Sequence, residues 1–217
     1  MPTLTEIFYS HTDKASAKMD HYFPVFERYL AKYIGKEFTL LEIGIGSGGS
    51  LQIWKKYFGD KVRVCGIDKN SDTIYSEPQI ETYLGSQSDT DFLISTMKQI
   101  GPVDVIIDDA SHVQDDIYNT FITLFPLLND GGVYIIEDLH SSYWQEYDGG
   151  LDKPNNFVTR VSGQVHSVNK KWVRVPFGPI VDGITSMSFY DSMFVAEKDI
   201  NFNPTFAHTG SVLVSGI

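Results

Sequence analysis

Up to about residue 140, short apolar runs that stop abruptly at glycines or carboxylates alternate with segments of helical periodicity. Residues 40–50 (LLEIGIGSGGS) end in a glycine-rich turn, while 103–112 (VDVIIDDASH) and 133–140 (VYIIEDLH) end in acids and a histidine. Runs of this length and composition read as buried strands. Strands are expected at 38–43, 61–67, 80–84, 103–107 and 132–136, with helices at 50–58, 89–100 and 114–128 between them. Such alternation implies right-handed crossovers and a doubly wound, mostly parallel α/β sheet.

Ahead of the first strand, Tyr22, Phe23, Phe26, Tyr29, Leu30 and Tyr33 recur at spacings of three and four, which predicts an amphipathic helix over 20–34. After the fifth strand the pattern predicts a helix over 155–171. Residues 184–190 and 193–196 are joined so tightly through Asp191 and Ser192 that they must form an antiparallel hairpin closing one sheet edge. The expected organisation is one domain over 1–217, with a helical cap at 1–36 and a polar, partly mobile tail at 199–217.

The chain has 217 residues, 42% of them hydrophobic and 21% charged, enough to bury one sizeable core. Its net charge of −11 argues against a nucleic acid or anionic membrane partner, which would be bound through clustered Lys and Arg. No apolar run approaches the ~18 residues of a membrane span. The single cysteine, Cys65, lies inside an expected strand and cannot form an internal disulfide. A reducing, cytoplasmic setting is expected.

Gly44, Gly46 and Gly49 satisfy the GxGxxG pattern between a strand and a helix, which suits a dinucleotide at the helix N-terminus with Asp68 on its ribose. A competing pattern, acid-x-Gly-x-Gly, is formed by Glu42, Gly44 and Gly46. There a strand-end carboxylate helps hold the ammonium of a methionine-like tail, as in S-adenosylmethionine sites, and Ser47 falls in the same loop. Asp68 serves either ligand, because both present a ribose diol. The bland alternative is that the glycines only permit a tight turn.

Asp109 follows the fourth strand and Glu137 and Asp138 the fifth, at the carboxyl ends that line the crevice of a doubly wound sheet. Three carboxylates converging there call for a cation, and oxygen ligation suits Mg²⁺, Mn²⁺ or Ca²⁺ better than zinc. Asp108 falls on the opposite face by strand alternation and is assigned to local backbone or helix capping on the cofactor side of the loop. His112, three residues beyond Asp109, can reach a substrate without ligating the metal and fits a general base. His140 stands either beside the substrate or in support of its loop. Tyr143, Trp144 and Tyr147 offer aromatic faces to a bound substrate or simply pack that loop.

Six segments carry a family likeness: 40–54 (LLEIGIGSGGSLQIW), 66–68 (GID), 85–93 (GSQSDTDFL), 107–112 (IDDASH), 136–144 (IEDLHSSYW) and 188–198 (SFYDSMFVAEK). With them the chain resembles the class I S-adenosylmethionine-dependent methyltransferases, and among these the metal-dependent macrocin- and mycinamicin-type sugar O-methyltransferases, with which cephalosporin-hydroxylase-like sequences are grouped. The resemblance implies a seven-stranded sheet and Mg²⁺ on Asp109, Glu137 and Asp138, with His112 as base. It also implies cofactor contacts at Glu42, Gly44 and Asp68, with Gln87, Ser88 and Asp89 near the adenine. The stretch from Thr12, Asp13 and Lys14 to His21 and Tyr22 is implied to cover the cofactor. Members commonly carry Asp where this chain has Ser86, which shifts the adenine contact to Ser88 or Asp89. The long N-terminal extension of the macrolide enzymes is not expected.

The same resemblance implies an enzyme that methylates a sugar hydroxyl on a glycan or glycosylated metabolite and self-associates, with Trp172 and Phe177 as candidates for the contact. A catechol-like diol is an alternative acceptor. An NAD-dependent oxidoreductase is disfavoured by Glu42 and by an acidic cluster it would not need, and a silent cofactor-binding protein by the intact acids and histidine.

Overall fold

The computed structural model describes residues 2–175, 178, 180–207 and 209–210. Two helices, α1 (Leu4–Tyr9) and α2 (Phe23–Leu30), precede the sheet. Five strands then run parallel: β1 (Phe38–Ile43), β2 (Val62–Asp68), β3 (Ile80–Leu84), β4 (Val105–Asp108) and β5 (Val133–Ile136). Helices α3 (Gly49–Phe58), α4 (Thr90–Ile100) and α5 (Gln114–Leu124) connect them. Strands β6 (Ile184–Tyr190) and β7 (Met193–Lys198) form the expected antiparallel hairpin. The sheet has seven strands in the order β3-β2-β1-β4-β5-β7-β6, with β7 antiparallel to β5. It is the mostly parallel, doubly wound α/β sheet that the alternation required.

Strand order reverses between β1 and β4, so their carboxyl ends lie side by side at a topological switch point, where such sheets open a ligand crevice. Because successive strand residues face opposite sides, each strand feeds two cores. Leu40, Val64, Val105, Ile107, Val133 and Ile135 pack with Phe26, Trp54 and Phe58. Leu41, Cys65, Ile106, Tyr134 and Ile136 pack with Leu93, Phe121 and Phe157 on the other side. Burial pushes the Cys65 thiol up to about 11, so it behaves as a small apolar residue.

Two predicted helices are interrupted. The stretch over 20–34 becomes a 3-10 turn at Asp20–Tyr22, then α2, then a second 3-10 turn at Ala31–Tyr33. Pro24 lies in the first turn of α2, where its missing N–H costs nothing. The stretch over 155–171 becomes α6 (Phe157–Ser162) and α7 (Val165–Val168), separated at Gly163. There Gln164 Oε1 accepts from Ser167 Oγ at 2.6 Å and from Val181 N at 3.0 Å, tying the turn to the segment before β6. Trp172 is exposed, whereas Phe177 and part of the expected tail, 211–217 with His208, lie outside the described residues. No helix among the described residues is long and apolar enough to cross a membrane.

Candidate functional site

Three strand ends build the site. In the register Ile43, Asp108 and Ile136 lie level, so Gly44, Asp109 and Glu137 are the next residues out on β1, β4 and β5. Alternation then places Glu42, Asp109 and Glu137 on the side of the sheet that packs α2 and α3, and Asp108 on the opposite side. Gly44 is required by this closeness, since a Cβ there would lie 2.1 Å from Asp109 O, and its φ of +91° is one that L side chains rarely adopt. The other glycines of the pattern have different tasks. A Cβ at Gly49 would lie 2.1 Å from Lys14 O, where the N-terminal segment crosses the start of α3, while Gly46 (φ +54°) faces open space.

Two cavities meet at Gly44, Gly46 and Asp109. The first, of about 290 Å³, is lined by Asp68, Lys69, Ser86, Gln87, Ser88, Ala110, Ser111 and Asp116 beside those three. The second, of about 360 Å³, runs toward Ser47, Ser50 and the N-terminal residues Ala15, Ser16, Ala17 and Lys18. Asp68 Oδ2 accepts from Ile45 N at 2.9 Å and Gly46 N at 3.3 Å, so the end of β2 holds the glycine loop open toward the first cavity.

The first acid of the 108–109 pair is a structural carboxyl. Gln87 Nε2 donates to both Asp108 oxygens, at 2.7 and 2.9 Å, and Tyr134 Oη donates at 3.3 Å. Burial pushes Asp108 up to about 7. Of the two roles expected for it, the local backbone contact is present, at Ala110, whereas its side-chain partners lie on distant elements rather than at a helix cap. Gln87 in turn accepts from Ser111 N at 3.0 Å, fixing the loop after β4.

On the other side, Lys18 Nζ donates to Asp109 Oδ2 and Glu137 Oε1, each at 2.6 Å, and to Glu42 Oε1 at 3.4 Å. Burial opposes its charge, but attraction from Glu137, Asp109 and Glu42 outweighs that and holds the ammonium well above its ordinary value. Burial, with Asp109 close by, pushes Glu137 well above the usual carboxylate range despite Lys18. Glu42 also accepts from Trp54 Nε1 at 3.1 Å.

The three acids expected to share one cation are thus divided. Glu42, Asp109 and Glu137 gather around Lys18, while Asp109, His112 and Asp138 form a second, more open group, and within each the ligand atoms lie inside 4.8 Å of one another. His112 Nε2 is 3.9 Å from Asp109 Oδ1 and 3.7 Å from Asp138 Oδ2. Both His112 and Asp138 have φ of +56°, a costly conformation for non-glycine residues that surrounding contacts must impose. Gln114 does so for His112, donating to its carbonyl at 3.1 Å while accepting from Phe157 N at 2.9 Å. For Asp138 it is Tyr22, whose buried hydroxyl donates to Oδ1 at 2.6 Å and accepts from the Asp138 N–H at 3.2 Å.

Of the residues expected at the cofactor, Gly44, Gly46, Asp68, Gln87 and Ser88 line the first cavity and Ser47 the second. The others line neither: Glu42 and Asp108 are buried in the networks above, Tyr22 braces Asp138, and Asp89 caps α4 by accepting from Phe92 N. Lys14 lies over the Tyr75 ring, 4.5 Å from its centre. Lys69, Ser111 and Asp116 line the first cavity without having been singled out. Lys18 was also missed, and no local pattern marks it. The grouping of Glu42 with Asp109 and Glu137 was recoverable from strand parity.

Over the open side, the loop after β5 carries an aromatic row. The His140 and Trp144 rings are 4.5 Å apart, Trp144 and Tyr147 6.3 Å, and Tyr147 and His112 6.0 Å. Tyr143 is exposed and is not in that row. The hairpin turn anchors the loop: Ser192 Oγ accepts from His140 N at 3.1 Å and lies 2.6 Å from His140 Nδ1.

A sheet of this order, with a glycine loop at its switch point and acids closing β4 and β5, is the class I S-adenosylmethionine-dependent methyltransferase fold. MycE methyltransferase of the mycinamycin pathway, solved with Mg, SAH and mycinamycin VI, superposes with a TM-score of 0.80 at 26% identity, over 91% of this chain and 53% of that one. The curated relatives of this chain are sugar O-methyltransferases of tetracenomycin and macrolide pathways. The chain is 34% identical over 192 residues to 8-demethyl-8-alpha-L-rhamnosyl tetracenomycin-C 2'-O-methyltransferase of Streptomyces olivaceus, covering 83% of this chain and 50% of the relative. It is 32% identical over 165 residues to demethylmacrocin O-methyltransferase of Streptomyces fradiae, covering 73% and 42%. The chain therefore spans about half the length or less of these relatives. No family model matches it.

Proposed function

We propose that this protein transfers a methyl group from S-adenosylmethionine to a sugar hydroxyl of a glycan or glycosylated metabolite, with a divalent cation, Mg²⁺ or Mn²⁺, at Asp109, Glu137 and Asp138. The observation that carries the reading is the meeting of two cavities at Gly44 and Asp109, with His112 standing between Asp109 and Asp138. The donor chemistry fits the ion: the acids offer only oxygen, and an ammonium already bridges two of them, Asp109 and Glu137, as a stand-in cation. When bound, a divalent ion there would orient a pair of hydroxyls and acidify the one that reacts.

The first cavity suits the adenosine end of the donor, with Asp68 facing the ribose and Ser86, Gln87 and Ser88 the base. The second suits its methionine end. His112 Nε2 takes the hydroxyl proton as the methyl moves in line from sulfur to oxygen, leaving a neutral thioether and an imidazolium that Asp109 and Asp138 stabilise. Such a base contributes about 10² to 10⁴-fold. Trp144 and Tyr147 present aromatic faces to the sugar ring. The two cores on either side of one sheet support reading the described residues as one methyltransferase domain. The net charge of −11 supports a partner other than nucleic acid, and the buried lone thiol supports a reducing, cytoplasmic setting. Exposed Trp172 remains the proposed self-association contact.

Calorimetric titration tests the reading. S-adenosylmethionine is expected to bind, NAD is not, and Mg²⁺ should give a separate heat that Asp109→Ala abolishes. A screen of glycosylated acceptors comes next. Binding of NAD alone would overturn the assignment.

A further inference from the structure

Lys18 lies on the segment between α1 and the turn at Asp20–Tyr22, and its side chain is only 4% exposed. Its segment is latched to α3. Gly49 N donates to Ala15 O at 3.1 Å, and Lys14 N donates to Gln52 Oε1 at 3.2 Å. Beyond that latch the Lys18 side chain reaches the carboxylates and closes one wall of the second cavity.

One ammonium faces three carboxylates, so the seat is short of positive charge. Yet an ammonium and a divalent ion cannot both use Asp109 Oδ2 and Glu137 Oε1. At 2.6 Å from each oxygen, Nζ stands within the space an ion would need, and two cations in contact repel strongly where water is scarce. Resting on the metal reading above, we infer that Lys18 is the built-in counter-cation of the empty site, and that a divalent ion enters only by expelling the Lys18 side chain from between Asp109 and Glu137. The second cavity, which Lys18 already lines, gives the expelled ammonium somewhere to go. Metal affinity is then lowered by whatever holds Lys18 in place, as for any ligand that must wait for a less populated state.

The test compares Mn²⁺ binding by the wild-type protein, Lys18→Met and Lys18→Arg, without S-adenosylmethionine, by electron paramagnetic resonance of the free ion. Lys18→Met is expected to bind at least about tenfold more tightly than wild type, and Lys18→Arg no more tightly. Equal or weaker binding by Lys18→Met would overturn the inference, since the ion would then be using the open Asp109, His112 and Asp138 group beside an undisturbed lysine. Binding by neither wild type nor Lys18→Met would remove the metal reading and this inference together. Should Lys18→Met fail to fold, the wild-type protein decides. Saturating Mg²⁺ is expected to speed labelling of Lys18 by an amine-reactive reagent, read by peptide mass spectrometry, and an unchanged rate would overturn the inference.

Discussion

At the end of β4 the first acid of the pair, Asp108, is buried against an amide, whereas at the end of β5 the first acid, Glu137, is buried against an ammonium. The second acids differ as well. Asp109 is drawn to Lys18, while Asp138 is turned by its positive φ toward His112 and braced by Tyr22. Burial raises both Asp108 and Glu137, but the partners make two kinds of ground from them. An amide clamped between Asp108 and the Ser111 N–H forms a neutral floor with no role for an outside ion. An ammonium among acids forms a seat whose occupant another cation can replace.

Four experiments break or sharpen that contrast. The largest effect is expected from His112→Ala, which removes the proposed proton acceptor between the two second acids: turnover should fall about 10² to 10⁴-fold with S-adenosylmethionine affinity retained. A matching loss of cofactor affinity, measured calorimetrically, would assign His112 to binding instead. Tyr22→Phe should weaken Mn²⁺ binding about 10- to 100-fold by freeing Asp138. If affinity is unchanged, Asp138 holds its conformation without the hydroxyl.

Gln87→Leu attacks the neutral floor, leaving Asp108 without its amide partner at a cost of about 1–3 kcal/mol in urea denaturation. Metal affinity should survive, and its loss would mean that the two strand ends are not separable. The smallest effect belongs to an exposed acid with an ordinary partner. Arg63 Nη2 donates to Glu81 Oε2 at 2.7 Å, and this hydrogen bond holds the Glu81 carboxyl below its usual value. Arg63→Ala should cost no more than about 1 kcal/mol. Because Glu81 is depressed in the folded state, the share of that difference owed to Glu81 should be present at neutral pH and lost as pH falls through its lowered value, while the share from Arg63 Nη1 donating to Ile100 O at 2.6 Å should persist.

The path from residues to site was legible where the rule is local. Alternation named each strand and placed Asp108 opposite Asp109, and the closely joined runs 184–190 and 193–196 fixed a hairpin with its turn at Asp191 and Ser192. It was not legible where one residue serves a distant one. Nothing in the sequence shows that the Asp89 carboxylate caps α4, or that the Tyr22 hydroxyl reaches Asp138, 116 positions away.

Apolar runs, glycines and acids therefore determined the sheet, its switch point and the set of acids gathered at the carboxyl ends of β1, β4 and β5, because periodicity and strand parity are properties of neighbouring residues. Only the tertiary structure decided how that set is divided. Lys18 stands 91 positions from Asp109 and 119 from Glu137 on a coil segment without periodicity, and only folding brings it back across β1 to meet their charge.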